Sequence, residues 1–233
     1  MVTNAFQIES EMLPIAQRWL ESQGLMTKTE FSNPWGICDL VGCSFDPRRV
    51  KQRLAYGQRS AIGPPLRITL LLNIPDYDSR KSVSISKMAA EFAGLVDENR
   101  IEHEVAKLES LRFVQRTRCG QLQKLNGWMP LQRELVTVEL KLSRIEEAVQ
   151  QAMSNRWLTS KSYVALPHRT AVRVADSNRQ QQFSDSGIGL LAISKTYCRE
   201  LIKPKRRISK PDKTALAHCI ERFWRTFLQT LHH

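Results

Sequence analysis

The sequence predicts an α/β domain that is interrupted by a mainly helical insert. Short apolar runs typical of strands occur in the first quarter of the chain and again in its second half, each beside a helical pattern. Between them the spacing is helical and then hairpin-like, with a Gly-Pro-Pro sequence and a later proline at the two boundaries. We therefore predict a discontinuous core over residues 1–62 and 130–233, with an insert over residues 63–129.

The first part of the core contains two helices and a strand. Residues 9–23 have apolar side chains at helical spacing, and Gly24 is a suitable end for that helix. Residues 35–45 are apolar and short, which predicts a strand with Asp39 near its middle. Residues 50–57 are basic and are predicted to be helical.

The insert is predicted to hold three helices and a hairpin. Helical spacing covers residues 66–73, 85–92 and 98–111. Residues 113–118 then alternate like an edge strand, and residues 121–125 return after a Cys-Gly turn.

The second part of the core resumes the alternation of strands and helices. Its predicted elements are a strand at 135–142, a helix at 145–157, strands at 162–166 and 187–193, a solvated turn at 178–182, a basic linker at 203–213 and a last helix at 212–231.

The strand at residues 135–142 is the most informative stretch of the chain. Four apolar side chains share one of its faces, while Thr137, Glu139 and Lys141 share the other. Burying a carboxylate and an ammonium is costly unless the groups pair or bind something. Glu139 and Lys141 form either a structural ion pair or a site that holds a metal ion and a water molecule. Asp39 on the earlier strand has the same two readings, a hydrogen-bonded strand residue or a metal ligand.

Charge and composition limit the classes of function. The formal charge is +12, which favours a polyanionic partner, and nucleic acid is the default. No apolar run has the length of a membrane span, and no signal-peptide pattern begins the chain, so we expect a cytoplasmic protein without membrane contact. The five cysteines are not spaced like the ligands of a zinc site. No glycine-rich phosphate loop occurs, and we expect no organic cofactor.

Asp39 followed by Glu139-Leu140-Lys141 resembles the D…E-x-K motif of the PD-(D/E)XK nuclease superfamily, which has the restriction-endonuclease-like fold. The resemblance implies a mixed sheet flanked by helices, Mg²⁺ or Mn²⁺ as cofactor, and metal-dependent hydrolysis of phosphodiester bonds in DNA. It implies Asp39 and Glu139 as metal ligands and Lys141 as the group that orients water. A residue other than proline, Cys38, precedes Asp39.

Two further residues follow from the same resemblance. Several members carry a metal-linked glutamate on the first helix, and Glu11 is our choice ahead of Glu9 and Glu21. Many members carry a glutamine on the helix after E-x-K, which corresponds to Gln151, with a tyrosine four residues later. Here that later residue is Asn155, and the alternative for Gln151 is a surface amide of its helix.

The insert resembles a winged helix-turn-helix module in its order of elements. The resemblance implies a last helix that enters the major groove and a wing whose Arg116, Arg118 and Lys124 contact phosphates. The last helix also carries four glutamates, so a structural or dimerisation module is the alternative.

Two basic clusters are candidates for binding the DNA backbone. They comprise Arg48, Arg49, Lys51 and Arg53 in the first part of the core, and Lys205, Arg206 and Arg207 in the linker. The first is either a phosphate contact or a solvated face. The second is the stronger candidate, because proline keeps it extended for nonspecific contact with the DNA backbone.

The sequence as a whole predicts a Mg²⁺-dependent deoxyribonuclease. DNA is the expected partner, and a homodimer is compatible because two DNA strands need two sites. The alternative is a DNA-binding regulator that keeps the nuclease fold without turnover, and an interaction protein is the second.

Overall fold

The computed structural model describes residues 6–34, 36–125, 130–159, 161–205 and 212–230. In this part of the chain there are nine α-helices and eight strands, and the fold is α/β. Among the same residues, none of the helices combines the length and the apolar character needed to span a bilayer.

The helices and strands follow one another along the whole chain. The helices are α1 (Leu13–Ser22), α2 (Pro47–Ala55), α3 (Pro65–Asn73), α4 (Ile85–Glu91), α5 (Glu98–Ser110), α6 (Ile145–Asn155), α7 (His168–Ala175), α8 (Arg179–Ser186) and α9 (Lys213–Thr230). The strands are β1 (Met26–Asn33), β2 (Gly36–Phe45), β3 (Val114–Arg116), β4 (Leu122–Lys124), β5 (Gln132–Leu140), β6 (Lys161–Pro167), β7 (Gly189–Ile193) and β8 (Cys198–Ile202).

The chain forms two compact units. Unit 1 comprises residues 1–44 and 132–212, and unit 2 comprises residues 45–131 and 213–233. The prediction placed residues 45–62 and the last helix with the core, whereas the structure places both in unit 2. The reason is a buried ion pair between Arg53 of α2 and Glu221 of α9, which ties these two segments to one another.

Unit 1 is built on a mixed six-stranded sheet in the order β1-β2-β5-β6-β7-β8. The pairs β5–β6 and β6–β7 are parallel, while β1–β2 and β7–β8 are antiparallel. The three parallel strands therefore have their carboxyl ends at one edge of the sheet.

Helices cover both faces of this sheet. On one face, Val136, Val138 and Leu140 of β5 pack in a cluster with α1 residues such as Leu20. On the other face, Val164 of β6 belongs to a second cluster, which includes apolar residues of α6, α7 and α8. Alternation along β5 points Glu139 away from the first cluster and toward the side of α6.

Unit 2 contains helices α2 to α5, the hairpin β3–β4 and the last helix. Its core is formed by apolar residues of α3, α4, α5 and the hairpin, and Ala217 of α9 belongs to the same cluster. A single bridge pairs Val83, just before α4, with Leu122 of β4.

Four elements of unit 1 lie where no helix or strand was predicted. The polar strand β1 buries only Phe31, and an edge strand of this kind has no apolar alternation to detect. Helix α8 replaces the predicted turn at residues 178–182; it is short, buries Phe183 and ends at Gly187, whose φ of 68° is left-handed. Helix α7 and strand β8 are the other two.

Candidate active site

The carboxylate of Glu139 lies almost completely buried on β5, with 1% of its surface exposed. Its Oε1 accepts a hydrogen bond from Nδ2 of Asn155, at the end of α6. The Cys38 thiol, whose Sγ donates to the Leu40 carbonyl at 4.0 Å, is a second polar group that acts on this carboxylate. Neither partner carries a positive charge, so the carboxylate is oriented by neutral donors rather than neutralised by them.

Burial, and next to it the nearby charge of Asp39, raise the pKa of Glu139 from 4.5 to about 7. The hydrogen bond from Asn155, the Cys38 thiol and the charge of Lys141 oppose this shift of the pKa. An acid that is half protonated at neutral pH, beside a second acid, is a group that a bound cation would stabilise in its ionised form.

Asp39 is half-buried on β2, the strand next to β5 in the sheet. Its Oδ2 accepts a hydrogen bond from the backbone N–H of Leu140 at 2.7 Å. This contact holds the Asp39 carboxylate against the strand that carries Glu139. The structure thus brings together two of the three acids that the sequence analysis named as metal ligands.

The backbone beside Asp39 is irregular. On β1, Thr29 faces Leu40 and Phe31 faces Cys38, so Glu30 lies opposite Asp39. Glu30 has a φ of 47°, a left-handed conformation that is uncommon for a residue with a side chain and rare within a strand. Sequence patterns carry no signal for this distortion.

Lys141 follows the last residue of β5 and is 8% exposed. Its Nζ lies 3.5 Å from Oε2 of Glu9, which belongs to a 3₁₀ turn before α1. The other oxygen of Glu9 accepts a hydrogen bond from the backbone N–H of Leu142 at 3.3 Å. The ammonium is therefore held close to the end of β5, where its charge acts on Glu139.

Two predicted residues do not reach this site, and a neighbour replaces each. Glu11 is exposed and accepts a hydrogen bond from the backbone N–H of Gln7 at 2.8 Å, whereas Glu9 contacts Lys141. A 3₁₀ turn has three residues per turn, so residues two apart point in different directions.

Gln151 is also exposed, and Asn155 reaches Glu139 instead. The buried stripe of α6 passes through Ala152 and Asn155, and Gln151 lies about 100° away from Ala152 around the helix. A polar residue on an apolar stripe is the sequence signal that would have identified Asn155.

The donor groups of this site fit a hard divalent cation. Mg²⁺ binds one or two carboxylates and keeps several waters, which phosphate oxygens of a substrate replace. Asp39 and Glu139 supply that number of carboxylates. Among the described residues, no group of three or more His, Cys, Asp and Glu side chains is arranged as a metal site.

Several predicted DNA-contacting residues are engaged inside unit 2. Arg53 is buried against Glu221, at 2.6 and 2.7 Å, so its charge is not available to a phosphate and its assignment is corrected. Lys124 is likewise buried and lies 3.1 Å from Asp76. Arg116 pairs with Glu109 at 3.0 Å.

The remaining predicted basic residues differ in exposure. Arg49 donates a hydrogen bond to the carbonyl of Pro130 at 2.6 Å. The exposed ones are Arg48, Lys51, Arg118 and Lys205. Arg206 and Arg207 lie outside the described residues.

The acidity of α5 is partly neutralised within unit 2. Glu104 is buried between Arg67 and Arg100, at 2.7 and 3.0 Å, and Glu109 pairs with Arg116. Two of the four glutamates that argued against DNA binding by this helix are thus balanced by arginines.

Comparison of the chain with models of protein families, with curated proteins and with solved structures finds no match.

Proposed function

We propose that unit 1 hydrolyses phosphodiester bonds of DNA with the help of Mg²⁺ or Mn²⁺, as an endonuclease of the PD-(D/E)XK type. One observation carries the proposal. Two carboxylates, Asp39 and Glu139, lie side by side with the ammonium of Lys141 at the carboxyl end of a sheet strand. Ligand sites of α/β sheets occur preferentially at the carboxyl ends of their strands.

Asp39 and Glu139 would hold the cation. When bound, the cation supplies Lewis-acid polarisation of the phosphate and lowers the pKa of a water molecule. Asn155 fixes the orientation of the Glu139 carboxylate by a hydrogen bond. The backbone N–H of Leu140 does the same for Asp39. Oriented ligands reduce the reorganisation that the reaction would otherwise need.

Lys141 would orient the attacking water and stabilise the charge that develops on the phosphate. Its contact with Glu9 is 3.5 Å long, compared with 2.6 Å for the buried pair Arg53–Glu221. The longer contact leaves the ammonium able to donate to a substrate oxygen while Glu9 keeps it near the site.

Unit 2 and the overall charge support DNA as the substrate. The order α3, α4, α5 and hairpin, with the Val83–Leu122 bridge, is similar to that of a winged helix-turn-helix. Exposed cations such as Arg118, between β3 and β4, would bind phosphates, and the formal charge of +12 favours any polyanion. A homodimer would provide one site for each strand of a duplex.

A cleavage assay tests the proposal. The purified protein should cut plasmid DNA in Mg²⁺ or Mn²⁺, and Glu139→Gln should lower the rate by on the order of 10²–10³-fold. Glu134→Gln is the matched control, because Glu134 lies on the same strand and pairs with Lys161 instead. Cleavage that persists in excess chelator, or that Glu139→Gln leaves unchanged, would reject the mechanism.

The contact between Lys141 and Glu9 favours a second candidate function. If Glu9 holds the ammonium permanently, the protein is a DNA-binding regulator without turnover. The distinguishing result is binding of Mn²⁺ and DNA with no cleavage of duplex, single-stranded or branched substrates. Recovery of cleavage in Glu9→Gln would then identify the ion pair as the cause.

A further inference from the structure

The edge of the sheet at which the parallel strands have their carboxyl ends extends from β5, which Lys141 follows, across β6 and β7. Leu140 is level with Ala165, and Ala165 is level with Leu191, so β5, β6 and β7 end on the same side of the sheet. The backbone N–H of Lys141 donates to the carbonyl of Ala165 at 3.1 Å. His168 comes three residues after Ala165, which corresponds to roughly 10 Å along an extended strand.

The segments that follow β6 and β7 are strongly basic. Residues 167–175 and 194–199 contain no aspartate or glutamate. Their cationic side chains, all on exposed residues, are those of Arg169, Arg173, Lys195 and Arg199. Glu200, the next acid along β8, accepts a hydrogen bond from the Tyr163 hydroxyl at 2.7 Å. The edge therefore carries a positive charge that suits a phosphate backbone.

An exposed aromatic ring lies among these cations. Tyr197 is 45% exposed, its hydroxyl lies 3.3 Å from Nδ1 of His168, and the two rings have centroids 5.7 Å apart. The turn before it is closed by Ser194, whose N–H donates to the Tyr197 carbonyl at 2.9 Å and whose Oγ accepts from the Tyr197 N–H at 3.1 Å. The ring is thus held in place while much of it remains open to solvent.

An exposed aromatic ring beside cations is the combination that binds unpaired nucleic-acid strands. Phosphates contact the cations, and a base stacks on the ring. A base within a duplex is already stacked on both sides, so it is not available to such a ring.

We propose that the edge formed by His168, Arg169, Lys195 and Tyr197 binds an unpaired stretch of DNA strand beside the phosphodiester that unit 1 cleaves. One base stacks on Tyr197, and Arg169 and Lys195 bind the flanking phosphates. The location beside a scissile bond rests on the proposed function. The preference for an unpaired strand rests on the edge alone.

Binding of a labelled oligothymidylate of about 12 nucleotides, followed by fluorescence anisotropy in EDTA, tests the inference without cleavage. Tyr197→Ala should weaken binding by roughly fivefold or more, because base–aromatic stacking is lost, whereas Tyr197→Phe should retain it. Trp157→Ala is the matched control, since Trp157 is an exposed aromatic that precedes β6, at the opposite edge of the sheet.

A second measurement examines the charges. Lys195→Ala should reduce the slope of log affinity against log salt by about one. The same slope for Lys161→Ala, at the amino end of β6, should equal that of the unmodified protein.

The outcomes separate this inference from the proposed function. Equal binding by Tyr197→Ala and the unmodified protein, or no preference for the single strand over the matching duplex, would overturn the inference even if the protein cleaves DNA. Binding that depends on Tyr197 in a protein that cuts no substrate would reject the nuclease and support the strand-binding edge.

Discussion

Buried carboxylates have cationic partners in unit 2 and neutral ones in unit 1. In unit 2, Glu221 accepts two hydrogen bonds from Arg53 and a third from a backbone N–H, and Glu104 lies between two arginines. In unit 1, Glu139 is buried to the same degree but has the neutral Asn155 amide as a hydrogen-bond partner, with a second acid close by.

This contrast is the one expected between an acid that stabilises a fold and an acid that binds a ligand. Removing the arginine from a buried carboxylate–arginine pair destabilises the folded protein, because the carboxylate is left buried without a cation. A buried carboxylate beside another carboxylate destabilises the folded protein when it is ionised, because burial and repulsion both oppose its ionisation. Glu139 therefore resembles a group retained for a ligand, and Glu221 resembles a group retained for structure.

The largest expected effect is on the structural side of this comparison. Arg53→Met should lower the free energy of unfolding of unit 2 by about 3–5 kcal/mol, because it leaves the Glu221 carboxylate buried without a cation. Urea denaturation followed by Trp224 fluorescence measures this, since the Arg53 guanidinium lies 4.6 Å from that ring. The double variant Arg53→Met with Glu221→Leu is the control and should recover most of the loss.

Glu139→Gln should change the free energy of unfolding in the opposite direction, because it should stabilise the protein at alkaline pH. Folding raises the pKa of Glu139 from 4.5 to about 7, so the native state binds a proton that the unfolded state releases between these values. The unfolding free energy of the unmodified protein therefore falls as the pH rises through this window, and levels off above it.

The variant lacks this titration, so above pH 7 it should be more stable by on the order of 3 kcal/mol, and below pH 4.5 the difference should disappear. Chemical denaturation at a series of pH values measures it, with Glu134→Gln as the control on the same strand. A constant difference across the series would contradict the assignment.

A divalent cation should stabilise the unmodified protein by an amount that increases with its concentration. At a hundredfold excess of Mn²⁺ over its dissociation constant, the gain is about 2.7 kcal/mol. Glu139→Gln should abolish the gain and Glu134→Gln should keep it, as measured by thermal unfolding. Binding should weaken below pH 7, because the cation competes with the proton on Glu139. Stabilisation of both variants alike would place the cation elsewhere.

The smallest expected effect tests the exposed ion pair of unit 2. Arg116 is 38% exposed and bonds Glu109 at 3.0 Å, a surface pair whose loss should change stability by no more than about 0.5 kcal/mol. Urea denaturation of Arg116→Ala, beside Arg53→Met, measures the contrast. A loss as large as that of Arg53→Met would show that burial is not what separates the two pairs.

Much of the fold followed from local patterns. The helices at 85–91, 98–110 and 213–230 lie where apolar spacing predicted them, because a helix that buries one face repeats every three to four residues. The edge strand β1 and the short helix α8 did not follow. Each buries a single large side chain, so neither has a period that the sequence displays.

The strand period of two was enough by itself to place Glu139 and the apolar residues of β5 on opposite faces. The short apolar run at residues 35–45 placed Asp39 on a strand, and the structure decided that this strand lies next to β5. Only the tertiary structure decided that Glu9 rather than Glu11 meets Lys141, 132 residues away, and that Arg53 is buried against Glu221 across 168 residues. The spacing of residues within one helix or strand shows which side chains share a face of that element. Contacts between distant segments depend on how whole elements pack, which no short stretch of sequence encodes.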